Sequence, residues 1–464
     1  MVQNTLSRLI LAGLSGGTGK TIVSLALTRA FKRAGKKVVP FKKGPDYIDA
    51  QWLSVAAGHS CSNLDPFFHS VRDIRALFYN KSQGSDVCLV EGNRGLFDGM
   101  DEQGSCSTAE LARILDAPVI LAIDCTKMTR TVAAVLQGCL QFEPNLRIAG
   151  VILNRTAGER HRSVLRKSIE THTDVPVLGM LPKIRTNPIP ERHMGLVTDH
   201  ESDATAQHAL DALADMAEEW LDIEAILHSA ATAPDFGPDP GPIFPGQPAS
   251  KKVRIGYVRD ASLWFYYPEN LEALEHAGAE LVRLSLLSDA PWPSIDGLYL
   301  GGGFPELFAD RLAANTTIMR HVKTLSNAGL PIYAECGGFM VLCNSLEMRE
   351  TSYPMAGVFP VGTSFCPKPQ GLGYTEAEVV EDNPFFRTGS RIEGHEFHYS
   401  LCVSEASTPL KPVLKMGRGH GGGLGWDGFL HKNTVAGYNH IHAVAVPEWA
   451  PLFVAAASKY RSSS

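Results

Sequence analysis

The stretch RLILAGLSGGTGKTIVSLALTRAFKRAG, Arg8 to Gly35, constrains the fold more than any other part of the chain. A short apolar run gives way to a glycine loop and resumes as a helical pattern ending in Lys32 and Arg33 before Gly35. In such a strand, loop and helix, consecutive backbone N–H groups turn toward a phosphate. Gly16, Gly17, Thr18 and Gly19 form the turn, Lys20 neutralises phosphate charge, and the Thr21 hydroxyl is suited to ligate Mg²⁺. Gly13 lies one residue too early for the strict G-x-x-x-x-G-K-[ST] pattern, but GGTGKT is itself a phosphate-loop variant. An ordinary Gly-rich turn is the competing reading, and the flanking strand and helix weigh against it.

At 464 residues the chain is long enough for two or three domains. The Pro/Gly-rich segment 230–250 has no periodicity and reads as a linker, which puts one domain at 1–229 and another at 251–464. Before it, apolar runs at Leu9–Ala12, Lys37–Phe41, Val87–Val90, Pro118–Ile123, Ile148–Leu153 and Val175–Met180 alternate with amphipathic stretches, the rhythm of a parallel sheet covered by helices. After it, Val253–Asp260, Ala279–Ser285, Asp296–Gly303 and Leu330–Cys336 predict a second α/β domain, with an antiparallel extension beyond Gly371.

Lys plus Arg number 43 against 49 Asp plus Glu, without long runs of either sign, so neither nucleic acid nor a membrane surface is the expected partner. No apolar stretch is long enough to span a bilayer. The nine cysteines form no CxxC pair, which fits a reducing cytoplasm.

Acidic residues follow the predicted strands, where ligands of open α/β sheets bind. GPDYID carries Asp46, Tyr47 and Asp49, and VEGNRGLFDG carries Glu91, Arg94 and Asp98. Carboxylates beside a phosphate loop suit Mg²⁺ on ATP, with Glu91 best placed and Asp46 next to it. Singly, each such acid is more often a solvated loop residue or a helix cap; together at this edge they favour metal and substrate handling. In the second half, YAECGGFM sets Cys336 between an apolar strand and a Gly-Gly helix start, so the thiol is raised on a sharp turn and its pKa is expected to fall. Gly337, with Gly302 and Gly303 of GGGFPE, would form the oxyanion and glutamine pocket. YNHIHA supplies two histidines for activating the thiol; both face one side of a strand, and His440 is preferred with His442 as fallback.

These phrases, together with Asn63–Asp65, Ile189–Leu196 and FYYPENLEALE from Phe265 to Glu275, resemble the cobyrinic acid a,c-diamide synthase family over nearly the whole chain. The resemblance implies a P-loop synthetase domain of the dethiobiotin-synthetase type joined to a class I-like glutamine amidotransferase domain. It implies ATP and L-glutamine as co-substrates, Mg²⁺, and a cyclic tetrapyrrole amidated on its a and c acetates. Cys336 matches the family nucleophile and His440 its base, whereas the Glu usual two places after that base is replaced by His442. Asn93, Arg94 and Ala50 depart from the common pattern; Arg94 suits a substrate carboxylate as well as an ordinary surface position. Cobyrinic or hydrogenobyrinic acid is the leading substrate, and sirohydrochlorin, its nickel chelate or sirohaem the second. A non-catalytic tetrapyrrole or nucleotide carrier is the third reading. His193 reads as structural, and homodimerisation stays open.

Overall fold

The computed structural model describes residues 6–184, 189, 204–403 and 410–463; His193 and most of the Ile189–Leu196 phrase lie outside them. Contacts divide the chain into two compact units, with the division inside the Pro/Gly-rich stretch, between Ile243 and Phe244.

The first unit is built on seven strands: β1 (Arg8–Gly13), β2 (Val38–Lys43), β3 (Ser62–Leu64), β4 (Val87–Glu91), β5 (Val119–Asp124), β6 (Ile148–Thr156) and β7 (Val177–Pro182). Their spatial order is β3-β2-β4-β1-β5-β6-β7, and every pairing is parallel. Helices cover the sheet, so β1, β2 and β4 are buried along their whole length, as their near-continuous apolar sequences require. The chain passes from β4 on one side of β1 to β5 on the other, and this reversal opens a crevice at the carboxyl edge of β1. Helix α1 (Lys20–Arg33) and helix α2 (Tyr47–Ala57) start at that edge.

The second unit contains a nine-stranded mixed sheet. Five parallel strands, in spatial order Ala279–Leu284, Val253–Val258, Gly297–Leu300, Ile332–Glu335 and Thr434–Gly437, form one part. The antiparallel strands Trp426–His431, Pro412–Arg418, Gly371–Val379 and Arg391–His398 continue it, as the Gly-rich sequence beyond Gly371 suggested. One face packs Leu300, Val322 and Phe339; the other packs Tyr299 and Tyr333 against Trp449 and Phe453 of the last helix.

The start of the Pro/Gly-rich stretch belongs to the first unit's core. A helix runs on through Ala231, and the Phe236 ring, 1% exposed, stacks on Phe78 at 5.3 Å beneath the Arg75 guanidinium. Phe236→Ala is expected to destabilise the first unit by about 3–5 kcal/mol, the usual effect of removing a buried ring. Urea unfolding followed by circular dichroism measures it, and a loss under about 1 kcal/mol would be the value for a loosely held linker residue.

Candidate active site

The nucleotide loop leaves β1 at Gly13 and enters α1 at Lys20. Gly17 and Gly19 have φ of 73° and 87°, where a side chain is penalised. No side chain caps α1, so its first-turn N–H groups face the loop as an anion site. Asn154 of β6 donates to the Thr18 carbonyl at 2.8 Å, and a Cβ on Gly19 would fall 2.4 Å from that amide. The Lys20 ammonium donates to the Ser15 carbonyl at 2.8 Å.

Beside the loop is a buried charge cluster. Lys42 of β2 lies 2.7 Å from Asp49 and 2.9 Å from Glu91, and the Thr21 hydroxyl donates to the same Glu91 Oε1 at 2.8 Å. Burial alone would push the Lys42 pKa down, but the flanking Asp49 and Glu91 charges outweigh it and hold the ammonium above its usual value. Lys42 is the cation in direct contact, and Lys20 adds a second, more distant charge, set against Asp46, Asp49 and Glu91. Burial, aided by the Asp49 charge, raises Asp46 to about 6, and burial raises Glu91.

This deficit of positive charge fits a divalent cation. Glu91 Oε2 is buried without a hydrogen-bond partner among the described residues. There too, no three His, Cys, Asp or Glu side chains gather into a metal site of their own. Mg²⁺ does not need one, because it binds through one or two carboxylates plus phosphate oxygens and water.

The other expected residues of this half are more dispersed. Asp46 caps α2, its Oδ1 accepting from the Ile48 and Asp49 N–H groups at 2.8 and 2.9 Å. Tyr47 is buried at the start of α2. Arg94 and Asp98 are exposed on the loop after β4, where Asp98 accepts from the Gly95 N–H at 2.8 Å. Lys42 and Asn154 were missed in the sequence, where a lysine in an apolar strand and an asparagine at a strand end carry no distinctive spacing.

In the second unit Cys336 follows the strand Ile332–Glu335 with φ 50° and ψ −104°, and the short helix Gly337–Leu342 begins at the next residue. This is the strained turn of a nucleophile elbow. The sulfur lines a small cleft with Gly303, Glu306, Phe397 and His398. A Cβ on Gly337 would lie 3.0 Å from the Gly303 nitrogen, so the two loops bring their backbones together beside the sulfur. The expected lowering of the thiol pKa is not what the geometry produces. Burial, then the Glu306 charge, raise it, while the Gly337 N–H only partly opposes them. Six residues of helix provide too little dipole to reverse that. The resting group is the thiol, and its activation falls to a base.

The two histidines, expected on one strand face, are separated. The strand ends at Gly437, and His440 instead forms an isolated bridge with His395, their backbones exchanging hydrogen bonds at 2.8 and 3.1 Å. His440 Nδ1 is 3.6 Å from Glu335, and a Cβ on Gly302 would fall 2.5 Å from His440 Cε1. His442 turns elsewhere: its Nε2 is 3.5 Å from Glu269 and its ring lies on Tyr267. His395 stacks on His440 at 4.8 Å, and burial together with the neighbouring histidines holds its pKa well below the usual value.

A phosphate loop in one unit and a cysteine elbow in the other define a nucleotide-binding synthetase joined to a glutamine amidotransferase. Residues 9–197 match the CobQ/CobB/MinD/ParA nucleotide binding domain and residues 254–447 the CobB/CobQ-like glutamine amidotransferase domain. The chain is 42% identical over 96% of its length, and 96% of the relative's, to the cobyrinate a,c-diamide synthase of Magnetococcus marinus. It is 39% identical to that of Syntrophotalea carbinolica, covering 96% of this chain and 98% of that one, and 39% identical to that of Listeria monocytogenes, covering 94% and 96%. The chain belongs to the cobyrinate a,c-diamide synthase family, and it is an ATP-dependent, glutamine-using amide ligase.

Lys42→Ala should destabilise the first unit by roughly 3–5 kcal/mol, because it leaves buried carboxylates uncompensated. Millimolar Mg²⁺ should restore part of the loss, read as a shift in the urea midpoint with and without the ion. If His440 is the base for the thiol, Gly302→Ala should reduce glutamine-dependent turnover at least tenfold by displacing that ring, while turnover with ammonium chloride stays within about twofold of the parent.

Proposed function

We propose that this protein amidates the a and c acetate carboxylates of cobyrinic or hydrogenobyrinic acid in cobalamin biosynthesis. The observation that carries the reading is the end-to-end match of both units to relatives named cobyrinate a,c-diamide synthase. The nine cysteines, none of them in a disulfide, support a cytoplasmic setting.

A carboxylate is a poor electrophile, so a substrate oxygen first attacks the γ-phosphorus of ATP, forming an acyl phosphate and releasing ADP. The phosphate loop binds the phosphates through its N–H groups, and Lys20 leaves the Ser15 carbonyl for them. Thr21 and Glu91, with Asp46 at their edge, would hold Mg²⁺, which when bound neutralises phosphate charge. Asp49 and Lys42 fix the Glu91 carboxylate. Tyr47, Asp98 and Arg94 orient the substrate; Arg94 is exposed and free of ion pairs among the described residues, and it suits a peripheral carboxylate of the macrocycle.

In the other unit the Cys336 sulfur attacks the glutamine side-chain carbonyl, with His440 taking the thiol proton and the Gly303 and Gly337 amides facing the oxyanion. Ammonia leaves with that proton, and water hydrolyses the glutamyl thioester. Ammonia in bulk water is largely protonated and lacks a lone pair, so the reading includes guarded transfer between the two sites. Glutamine-driven product formation from the separated halves at the rate of the intact chain would rule that out.

The deciding experiment incubates the pure protein with ATP, Mg²⁺, glutamine and each of cobyrinic acid, hydrogenobyrinic acid and sirohydrochlorin, and counts amides by mass. Two amides on a corrin are expected. Amidation of sirohydrochlorin alone reassigns the macrocycle, and no amidation of any favours a carrier. Cys336→Ser should abolish glutamine-driven synthesis and keep ammonia-driven synthesis, whereas Lys20→Ala should lower both by about 10²-fold or more.

A further inference from the structure

Glu335 is the last residue of the strand that leads into Cys336, and its side chain is fully buried. A buried carboxylate persists only when several donors compensate it. Tyr299 donates to Oε2 at 3.0 Å, Tyr333 to Oε1 at 3.2 Å, and the Ile441 N–H to Oε1 at 3.1 Å. Burial, then the Glu335 charge, keep both phenols well above their ordinary pKa, so they remain donors. The remaining group at this carboxylate is the Nδ1 atom of His440, 3.6 Å from Oε2, an ion-pair distance and longer than a formed hydrogen bond. The Ile441 contact and the His395 bridge fix the backbone on both sides of that imidazole.

We infer that Glu335 is the positioning acid of the glutaminase centre, standing in for the carboxylate that the chain lacks two places after His440. The inference rests on the reading of Cys336 and His440 as nucleophile and base. The carboxylate holds a proton on His440 Nδ1, so the thiol proton passes to Nε2 as the sulfur–carbon bond forms. The imidazolium so formed is stabilised by Glu335, and its Nε2 proton leaves with the departing nitrogen as the carbon–nitrogen bond breaks. The other titratable groups coupled to this centre are His395, held neutral by burial, His442, Tyr266, Tyr299, Tyr333 and Cys336, with Glu306 and Asp427 acting on the Cys336 thiol. Of the carboxylates, Glu335 is the one that pairs with Nδ1 among the described residues. The strand thus delivers nucleophile and orienting acid from adjacent residues, one at its end and the other on the turn.

The test uses the full-length protein and two readouts: glutamate release from glutamine, and the pH dependence of Cys336 alkylation by iodoacetamide. Glu335→Gln should lower kcat for glutamate release by about 10²- to 10⁴-fold with the glutamine KM within about twofold. It should also move the alkylation midpoint to higher pH, the lost support of the imidazolium outweighing removal of a charge that by itself raises the thiol, and Glu335→Asp should recover at least tenfold of the lost rate by restoring the charge. Tyr333→Phe is the structural control: it removes a donor to the same carboxylate and should shift thermal unfolding while the alkylation profile stays put. Should Glu335→Gln fail to fold, Glu335→Asp decides, since a withdrawn carboxylate must still lower kcat at constant KM. Equal kcat and an unmoved alkylation profile in a folded Glu335 variant overturn the inference. No glutamate release from the parent protein would instead remove the glutaminase reading beneath it.

Discussion

Each site is organised around a carboxylate that ends a strand and is shut away from water. Glu91 closes β4 and Glu335 closes the strand before Cys336, and both side chains are fully buried. An unpaired charge at such a position would be neutralised or would unfold its surroundings, so the neighbours are dictated by the acid. Around Glu91 they are Lys42 and Thr21; around Glu335 they are two phenols, a backbone amide and an imidazole. The reactive groups of each unit take their places as members of these compensating sets.

The contrast between the two sets follows from their chemistry. The Glu91 set holds Lys42, with Lys20 farther off, against Asp46, Asp49 and Glu91, and it keeps one carboxylate oxygen without a hydrogen-bond partner among the described residues. That suits a site that receives a cation together with polyphosphate. The Glu335 set is satisfied by neutral donors, so a proton arriving on His440 is the charge it is poised to accept. On the proposed reading, a metal-assisted phosphoryl transfer and a proton-relayed thiol attack call for opposite balances around the same kind of residue.

Much of this was legible in the sequence. The six predicted strands of the first unit correspond to six of its seven, because buried parallel strands read as plain apolar runs; the short edge strand Ser62–Leu64 carries too little signal. The glycine loop, the Cys336 elbow and the antiparallel extension were readable for similar local reasons. Pairings across sequence were not. Lys42 with Glu91, Asn154 with Thr18, and Glu335 with His440 link positions 49, 136 and 105 apart, and only the strand order brings them together. Period-2 reasoning put His440 and His442 on one strand face, but the strand stops at Gly437, and after it each ring follows its own acid.

The ring of Phe236 bears on how the chain can be taken apart. A segment rich in proline and glycine invites a cut anywhere along it, yet its first part completes an aromatic stack with Phe78 and Tyr79. A fragment ending near Ala233 would expose that stack to water and carry a sticky apolar face. A fragment extended to Ile243 keeps its own lid, and what it then does alone reflects the missing partner domain instead of a damaged core.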